Sequence, residues 1–128
     1  MEKRDRKYRR FYCEKFKRMK IEGIKRIIKS NECYCFSLPC ICEKAGIKYN
    51  TMRIWFKGFE KESLKDFYQG CRLKYSIELL RNKDYKISSI AYEVGFKNEE
   101  HFIRWFKKKT SETPDKFSYI KIGHGKYL

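Results

Sequence analysis

One stretch of this chain occurs twice. Met52-Arg53-Ile54-Trp55-Phe56-Lys57 leads to Glu62-Ser63, and fifty residues later Phe102-Ile103-Arg104-Trp105-Phe106-Lys107 leads to Glu112-Thr113. Upstream the correspondence continues with a shift of forty-nine: Leu38, Ile41, Cys42, Ala45, Gly46 and Ile47 pair with Ile87, Ile90, Ala91, Val94, Gly95 and Phe96. The slip of one residue falls in a turn, where insertions are tolerated best. A chain made of two copies of one supersecondary unit has far fewer folds open to it than its length alone allows.

Each copy has two apolar-periodic segments separated by a glycine. The first segments, 38–45 and 87–94, place apolar residues at i, i+3, i+4 and i+7; the second are 49–57 and 98–108. Gly46 and Gly95 stand just past the first segments, where a left-handed residue ends a helix at low cost. Short helix, tight turn, short helix is the helix-turn-helix pattern. A plain αα-hairpin has the same periodicity, but two copies on a strongly basic chain favour the former.

Between the copies, Leu64, Phe67, Cys71, Tyr75, Leu79 and Leu80 share a face in a run without Pro, and Ser63 is a good N-cap. This predicts a connecting helix of about 18 residues, ~27 Å long. Ile21, Ile24, Ile27 and Ile28 predict a separate amphipathic helix over 20–29. Thr113-Pro114 begins a last helix anchored by Phe117 and Ile120. The expected fold is all-α, with about seven helices and two helix-turn-helix subdomains joined by a long connecting helix. Its parts are a basic N-terminal arm or helix (1–19), a first subdomain (20–62), the connector (63–82), a second subdomain (83–121) and a tail (122–128).

The 128 residues carry 32 Lys and Arg against 16 Asp and Glu, a formal charge of +16. Nucleic acid is the first expectation for a partner, with an acidic protein or an anionic membrane face as alternatives. Aromatic residues make 17% of the chain, too much core material for a disordered basic tail. There is no apolar run of membrane-spanning length and no secretory h-region, so a cytoplasmic protein is expected. Residues 1–30 hold 13 basic against 4 acidic residues. Such a run also describes a solvated face, but Tyr8, Phe11, Tyr12, Phe16 and Met19 form a helical apolar stripe within it.

Cys33, Cys35, Cys40 and Cys42 cluster in the sequence, yet each pair has one residue between its members, whereas zinc ligand pairs usually have two to four. Buried packing of free thiols is the expectation, with no metal site and no cofactor. Catalysis is not expected either: the only histidines are His101 and His124, and no phosphate-binding loop, HExxH or nucleophile motif is present.

Helical spacing sorts the second segments into two faces. Met52, Trp55 and Phe56, and again Phe102, Trp105 and Phe106, are expected to point into the core. The opposite faces carry Asn50, Arg53, Ile54 and Lys57 in one copy and Glu100, His101, Arg104 and Lys107 in the other. Arg53 and Arg104 suit guanine O6 and N7, Asn50 suits adenine N6 and N7, Glu100 can accept from cytosine N4, and Ile54 can touch a thymine methyl. His101 lies among them, although surface histidines are often bystanders. Lys48, Lys57, Lys97, Lys107 and Lys108 are the expected phosphate contacts. Inward-facing Trp-Phe pairs argue against RNA stacking.

In Arg72-Leu73, Leu79-Leu80, Ile87-x-x-Ile90-Ala91-x-x-Val94-Gly95-Phe96, Phe102-x-x-Trp105-Phe106-Lys107 and Thr113-Pro114 the chain resembles the DNA-binding domain of the AraC/XylS family of bacterial transcription regulators. The first copy is in register through Ser37-Leu38, Ala45-Gly46 and Phe56-Lys57. The resemblance covers about residues 20–121. It implies sequence-specific binding to double-stranded DNA, monomeric on its site, by a transcription regulator of the activator type that contacts RNA polymerase and works at the nucleoid. It also implies similarity to small members without an effector domain. The chain departs from the family where Lys61 and Ser111 replace the usual glycines, so those turns differ or carry mild strain. Lys48 and Lys86 replace capping hydroxyls. A DNA-architectural or mobile-element accessory protein using the same fold is the alternative function.

Overall fold

The computed structural model describes the main chain of residues 3–82 and 84–117 and the side chains of residues 13–82 and 84–117. The readings placed on the side chains of Tyr8, Phe11 and Tyr12, on Ile120, and on His124 with the tail lie outside these. The described residues form seven helices: α1 (Lys3–Lys29), α2 (Leu38–Lys44), α3 (Tyr49–Glu60), α4 (Leu64–Leu80), α5 (Ile87–Glu93), α6 (Glu99–Thr110) and α7 (Pro114–Phe117). They divide into two compact units. One holds the residues through Cys33 together with Ser37–Tyr68; the other holds Tyr34–Phe36 and the residues from Gln69 onward.

In the first unit α1, α2 and α3 pack on one another. Ile21, Ile24 and Ile28 of α1 are buried, as are Ile41 and Cys42 of α2, Met52 and Phe56 of α3, and Leu64 at the start of α4. The helix expected over 20–29 is not separate; it is the C-terminal part of α1. Its hydrogen-bond ladder runs on because no Pro interrupts it, and Gly23 costs only about 1 kcal/mol in a helix interior. Ser37 caps α2, its Oγ accepting from the Cys40 N–H at 3.3 Å, with Pro39 in the first turn. Ser63 caps α4 in the same way, accepting from the Asp66 N–H at 3.0 Å. The rings of Phe56 and Phe67 meet at 5.3 Å.

The core of the second unit is formed by Leu79, Leu80, Ile90, Ala91, Val94, Phe102, Phe106 and Phe117. Thr113 caps α7, its Oγ1 accepting from the Lys116 N–H at 3.4 Å, and Phe117 meets Phe106 edge-on at 5.2 Å. The short segment at Tyr34 belongs to this unit because its ring stacks on Tyr75 at 5.8 Å. Ser76, a polar residue with no exposure, donates to the Arg72 carbonyl one turn earlier at 2.9 Å.

α3 and α6 run beyond the expected 57 and 108, to Glu60 and Thr110. Each ends where the next residue turns left-handed: Lys61 at φ 60° and Ser111 at φ 71°. The turns therefore keep the glycine-type conformation without glycine, and the mild strain is the alternative that applies. Packing accounts for Cys33 and Cys42, which are buried, but not for Cys35, which is exposed. Burial pushes the Cys42 thiol up to about 11. Among the described residues, no three His, Cys, Asp or Glu side chains are grouped to hold a metal ion, and no helix is long and apolar enough to cross a membrane.

Candidate nucleic-acid interface

The two second helices are amphipathic in the same sense. On α3, Met52 and Phe56 are fully buried while Asn50, Arg53, Ile54 and Lys57 are exposed. Ile54 is 68% exposed. On α6, Phe102 and Phe106 are fully buried while Glu100, His101, Arg104, Lys107 and Lys108 are exposed. Each candidate set is thus gathered on one face of its own helix, one in each unit. Among the described residues neither Arg53 nor Arg104 has an ion-pair partner, so both guanidinium groups are available to a ligand.

One expectation needs correction. Trp55 and Trp105 do not lie inside the core; both are half-buried. Trp105 packs against the core of its unit from outside, and rings and cations lie against both indoles. Phe16 of α1 meets Trp55 edge-on at 6.2 Å, and Lys17 Nζ lies 5.6 Å from its ring centre. Trp105 packs on Phe96 at 5.1 Å and on Phe102 at 6.2 Å. Its Nε1 is buried and has no hydrogen-bond partner among the described residues.

The N-termini of the two helices differ. Lys48 occupies the N-cap of α3 with no side-chain cap bond, and the first turn holds no acidic residue. That end therefore presents free N–H groups, the positive end of the helix dipole and a lysine. Asn98 caps α6, its Oδ1 accepting from the His101 N–H at 2.9 Å, and Glu99 and Glu100 occupy the first turn. Lys107, Lys108 and Lys109 fill the last turn of α6. Lys86, like Lys48, caps nothing with its side chain, and Lys97 is exposed in the turn before α6.

The sequence model of a helix-turn-helix domain matches residues 41–118, which holds both of these helices. The C-terminal domain of the two-component response regulator YesN from Fusobacterium nucleatum superposes with a TM-score of 0.68 at 28% identity, covering 76% of this chain and 95% of that one. The chain belongs to the AraC-type helix-turn-helix family of DNA-binding transcription regulators. The AraC-type domain is also similar to the probable transcription factor PqrA of Proteus vulgaris, 37% identical over 81 residues that make 62% of this chain and 66% of PqrA. The DNA-binding domain of AdpA, solved in complex with a target DNA, shares the fold with a TM-score of 0.72 at 13% identity, covering 84% of this chain and 97% of that one. The chain spans between 6% and 66% of the length of the curated relatives it matches.

Three side chains near these helices of the AraC-type domain make contacts that helical periodicity does not assign. Asn98 acts as a cap, although an Asn three residues before a histidine and followed by two acids is a legible start signal. Arg72 donates from Nε to the Val94 carbonyl at 2.6 Å, and Lys20 donates to the Ala45 carbonyl at 3.1 Å. Neither cation lies near its acceptor in sequence, so periodicity carries no trace of these bonds.

Proposed function

We propose that this AraC-type domain binds double-stranded DNA by sequence, as a monomer, with α3 and α6 each entering a major-groove segment of one asymmetric site. The observation that carries this reading is the two-faced character of both helices: fully buried Met52 and Phe56, or Phe102 and Phe106, on one side and an exposed, mostly polar row on the other. Arg53 and Arg104 read guanine, Asn50 reads adenine, Glu100 accepts from cytosine, His101 borders that contact, and exposed Ile54 packs on a thymine methyl. Lys48, Lys57, Lys97, Lys107 and Lys108 hold phosphates and set the register. The acid-free N-terminus of α3 suits a phosphate as well, whereas Glu99 and Glu100 make the N-terminus of α6 a place for base amines rather than phosphates.

The two segments lie about one helical turn apart, ~34 Å. Bound there, the domain activates transcription by contact with RNA polymerase, the direction that its family resemblance implies, and works at the nucleoid. Footprinting on a selected site tests the DNA half of this: two protected segments one turn apart are expected, and protection of a single groove segment contradicts it. A promoter fused to a reporter tests the other half, with increased expression expected and repression or no change contradicting activation.

A further inference from the structure

Both units hold the tryptophan of their reading helix with a cation from the preceding long helix and an aromatic ring. In the second unit Arg72 Nε donates to the carbonyl of Val94, the C-cap of α5, at 2.6 Å. The same guanidinium lies 3.9 Å from the Phe96 ring centre and 5.4 Å from that of Trp105 on α6. In the first unit Lys20 Nζ donates to the carbonyl of Ala45, the C-cap of α2, at 3.1 Å. It also lies 5.5 Å from the Phe16 ring centre, and Phe16 meets Trp55 of α3 edge-on.

Ala45 corresponds to Val94 in the repeat, and Trp55 corresponds to Trp105. The cations occupy equivalent places as well: they stand fifty-two residues apart, Lys20 on α1 and Arg72 on α4, each in the helix that leads into its unit, as Ile21, Ile24 and Ile28 stand to Leu73, Ser76 and Leu80. The rings do not correspond, since Phe16 lies on α1 and Phe96 in the turn after α5. Each unit thus keeps the cation and the carbonyl and completes the contact to its tryptophan with a different ring. The physical need is plain. A C-cap carbonyl lacks an intrahelical donor and sits at the negative end of the dipole, so a cation there satisfies both. A cation over a ring that touches the reading-helix tryptophan then couples the turn to the reading helix.

We infer that Lys20 and Arg72 are positioning residues for DNA recognition, each fixing the angle of its reading helix on its own unit before DNA arrives. Neither reads a base. Both act through Trp55 and Trp105, and the inference rests on the proposal that α3 and α6 are the readers. Preorganisation of this kind raises specific affinity by holding Arg53 or Arg104 within reach of its base and leaves binding to random DNA nearly unchanged.

The test uses the full chain and a site selected by the wild type. Lys20→Met and Arg72→Met are compared with Lys15→Met, which removes a charge from an exposed position of α1. The readout is the ratio of affinity for the selected site to affinity for random DNA at fixed salt. Lys20→Met should lower that ratio about tenfold, with base preference relaxed only in the segment read by α3, and Arg72→Met should do the same for α6. Lys15→Met should leave the ratio unchanged. Lys20→Arg should restore it. The first unit can also be watched by itself: Trp105→Phe leaves Trp55 as the one tryptophan and removes an N–H that has no partner among the described residues. In that background Lys20→Met should shift the emission of Trp55, and Arg72→Met should not.

If Arg72→Met fails to fold, Arg72→Lys carries the test, since it keeps the charge and a donor for Val94 but loses the flat contact with Phe96 and Trp105. A threefold or greater loss of selectivity in the α6 segment is expected, and unchanged selectivity overturns the inference. Equal loss in Lys20→Met and Lys15→Met also overturns it. A wild type without any preferred site refutes the proposed function instead, which separates the two failures.

Discussion

Gly95 turns at φ 88° against the main-chain carbonyl of Tyr34, so a methyl group there would stand 2.7 Å from the carbonyl carbon and closer still to its oxygen. The repeat partner of Gly95 is freer. Gly46 has φ 81°, but a methyl group there meets only the flexible end of Lys20, at 3.2 Å. Gly46→Ala should therefore cost about 1–2 kcal/mol, the ordinary penalty of a left-handed alanine. Gly95→Ala should cost clearly more than Gly46→Ala, because backbone must move as well. Urea unfolding of the two variants gives the comparison, and equal losses would contradict the packing of Tyr34.

The left-handed residues after the reading helices offer the opposite change. Lys61 and Ser111 hold φ 60° and φ 71°, and their N–H groups donate to Lys57 and Lys107 at 3.1 and 2.7 Å. Ser111→Gly keeps that bond and relieves the conformation, so it should raise stability by about 1 kcal/mol, read as an upward shift in Tm. Lys61→Gly should do likewise. A fall in Tm for both would mean that these turns are not left-handed in solution.

These two cases also mark what could be read in advance. Phe56, Phe102 and Phe106 are buried as their spacing of three and four requires, and Gly46 and Gly95 stand where a helix must end. The same spacing placed Trp55 and Trp105 inside, and they are only half-buried. Periodicity assigns a face; it does not say whether another element covers that face fully. What reaches Trp55 is Phe16, thirty-nine residues earlier, and a long-range contact leaves no local pattern. The carbonyl contacts of Lys20 and Arg72 are hidden for that reason, and because a basic residue on a basic chain reads as solvent-facing by default. The continuity of α1 was missed because two differently oriented stripes, Phe16 with Met19 and Ile21 with Ile24, suggested two helices where one helix carries both.

Cys42 makes stability depend on alkaline pH. It is fully buried, and burial raises its thiol to about 11, whereas an unfolded thiol ionises near ~8.5. The native state then keeps a proton that the unfolded chain loses, so this contribution is intact below ~8.5 and is lost as pH rises toward 11. Across that window the wild type should lose more stability than Cys42→Ala, which has the residue of its repeat partner Ala91. Parallel profiles in denaturant titrations would contradict the burial. Cys13 and Cys35, which are exposed, should react first with a thiol reagent at neutral pH, and Cys42 only on unfolding.

Salt dependence tests how the charge of +16 is used. If about 6–10 phosphates are neutralised, affinity should fall by about 10³–10⁵ between roughly 50 and 200 mM salt. Lys107→Ala should weaken binding to all sequences alike and lower the slope by about 1. A flat salt response would mean that the basic surface is mostly solvated.

On the proposed reading, α3 and α6 contact different bases of one site, through Arg53 and Arg104 above all. Selection of bound sequences from random DNA, run in parallel for wild type, Arg53→Ala and Arg104→Ala, tests it most directly. The wild type should enrich a single asymmetric site of two short segments about one helical turn apart. Each variant should lose about 1–3 kcal/mol on that site and relax a different segment. A wild type that enriches nothing, or two variants that weaken every sequence equally, would contradict the account.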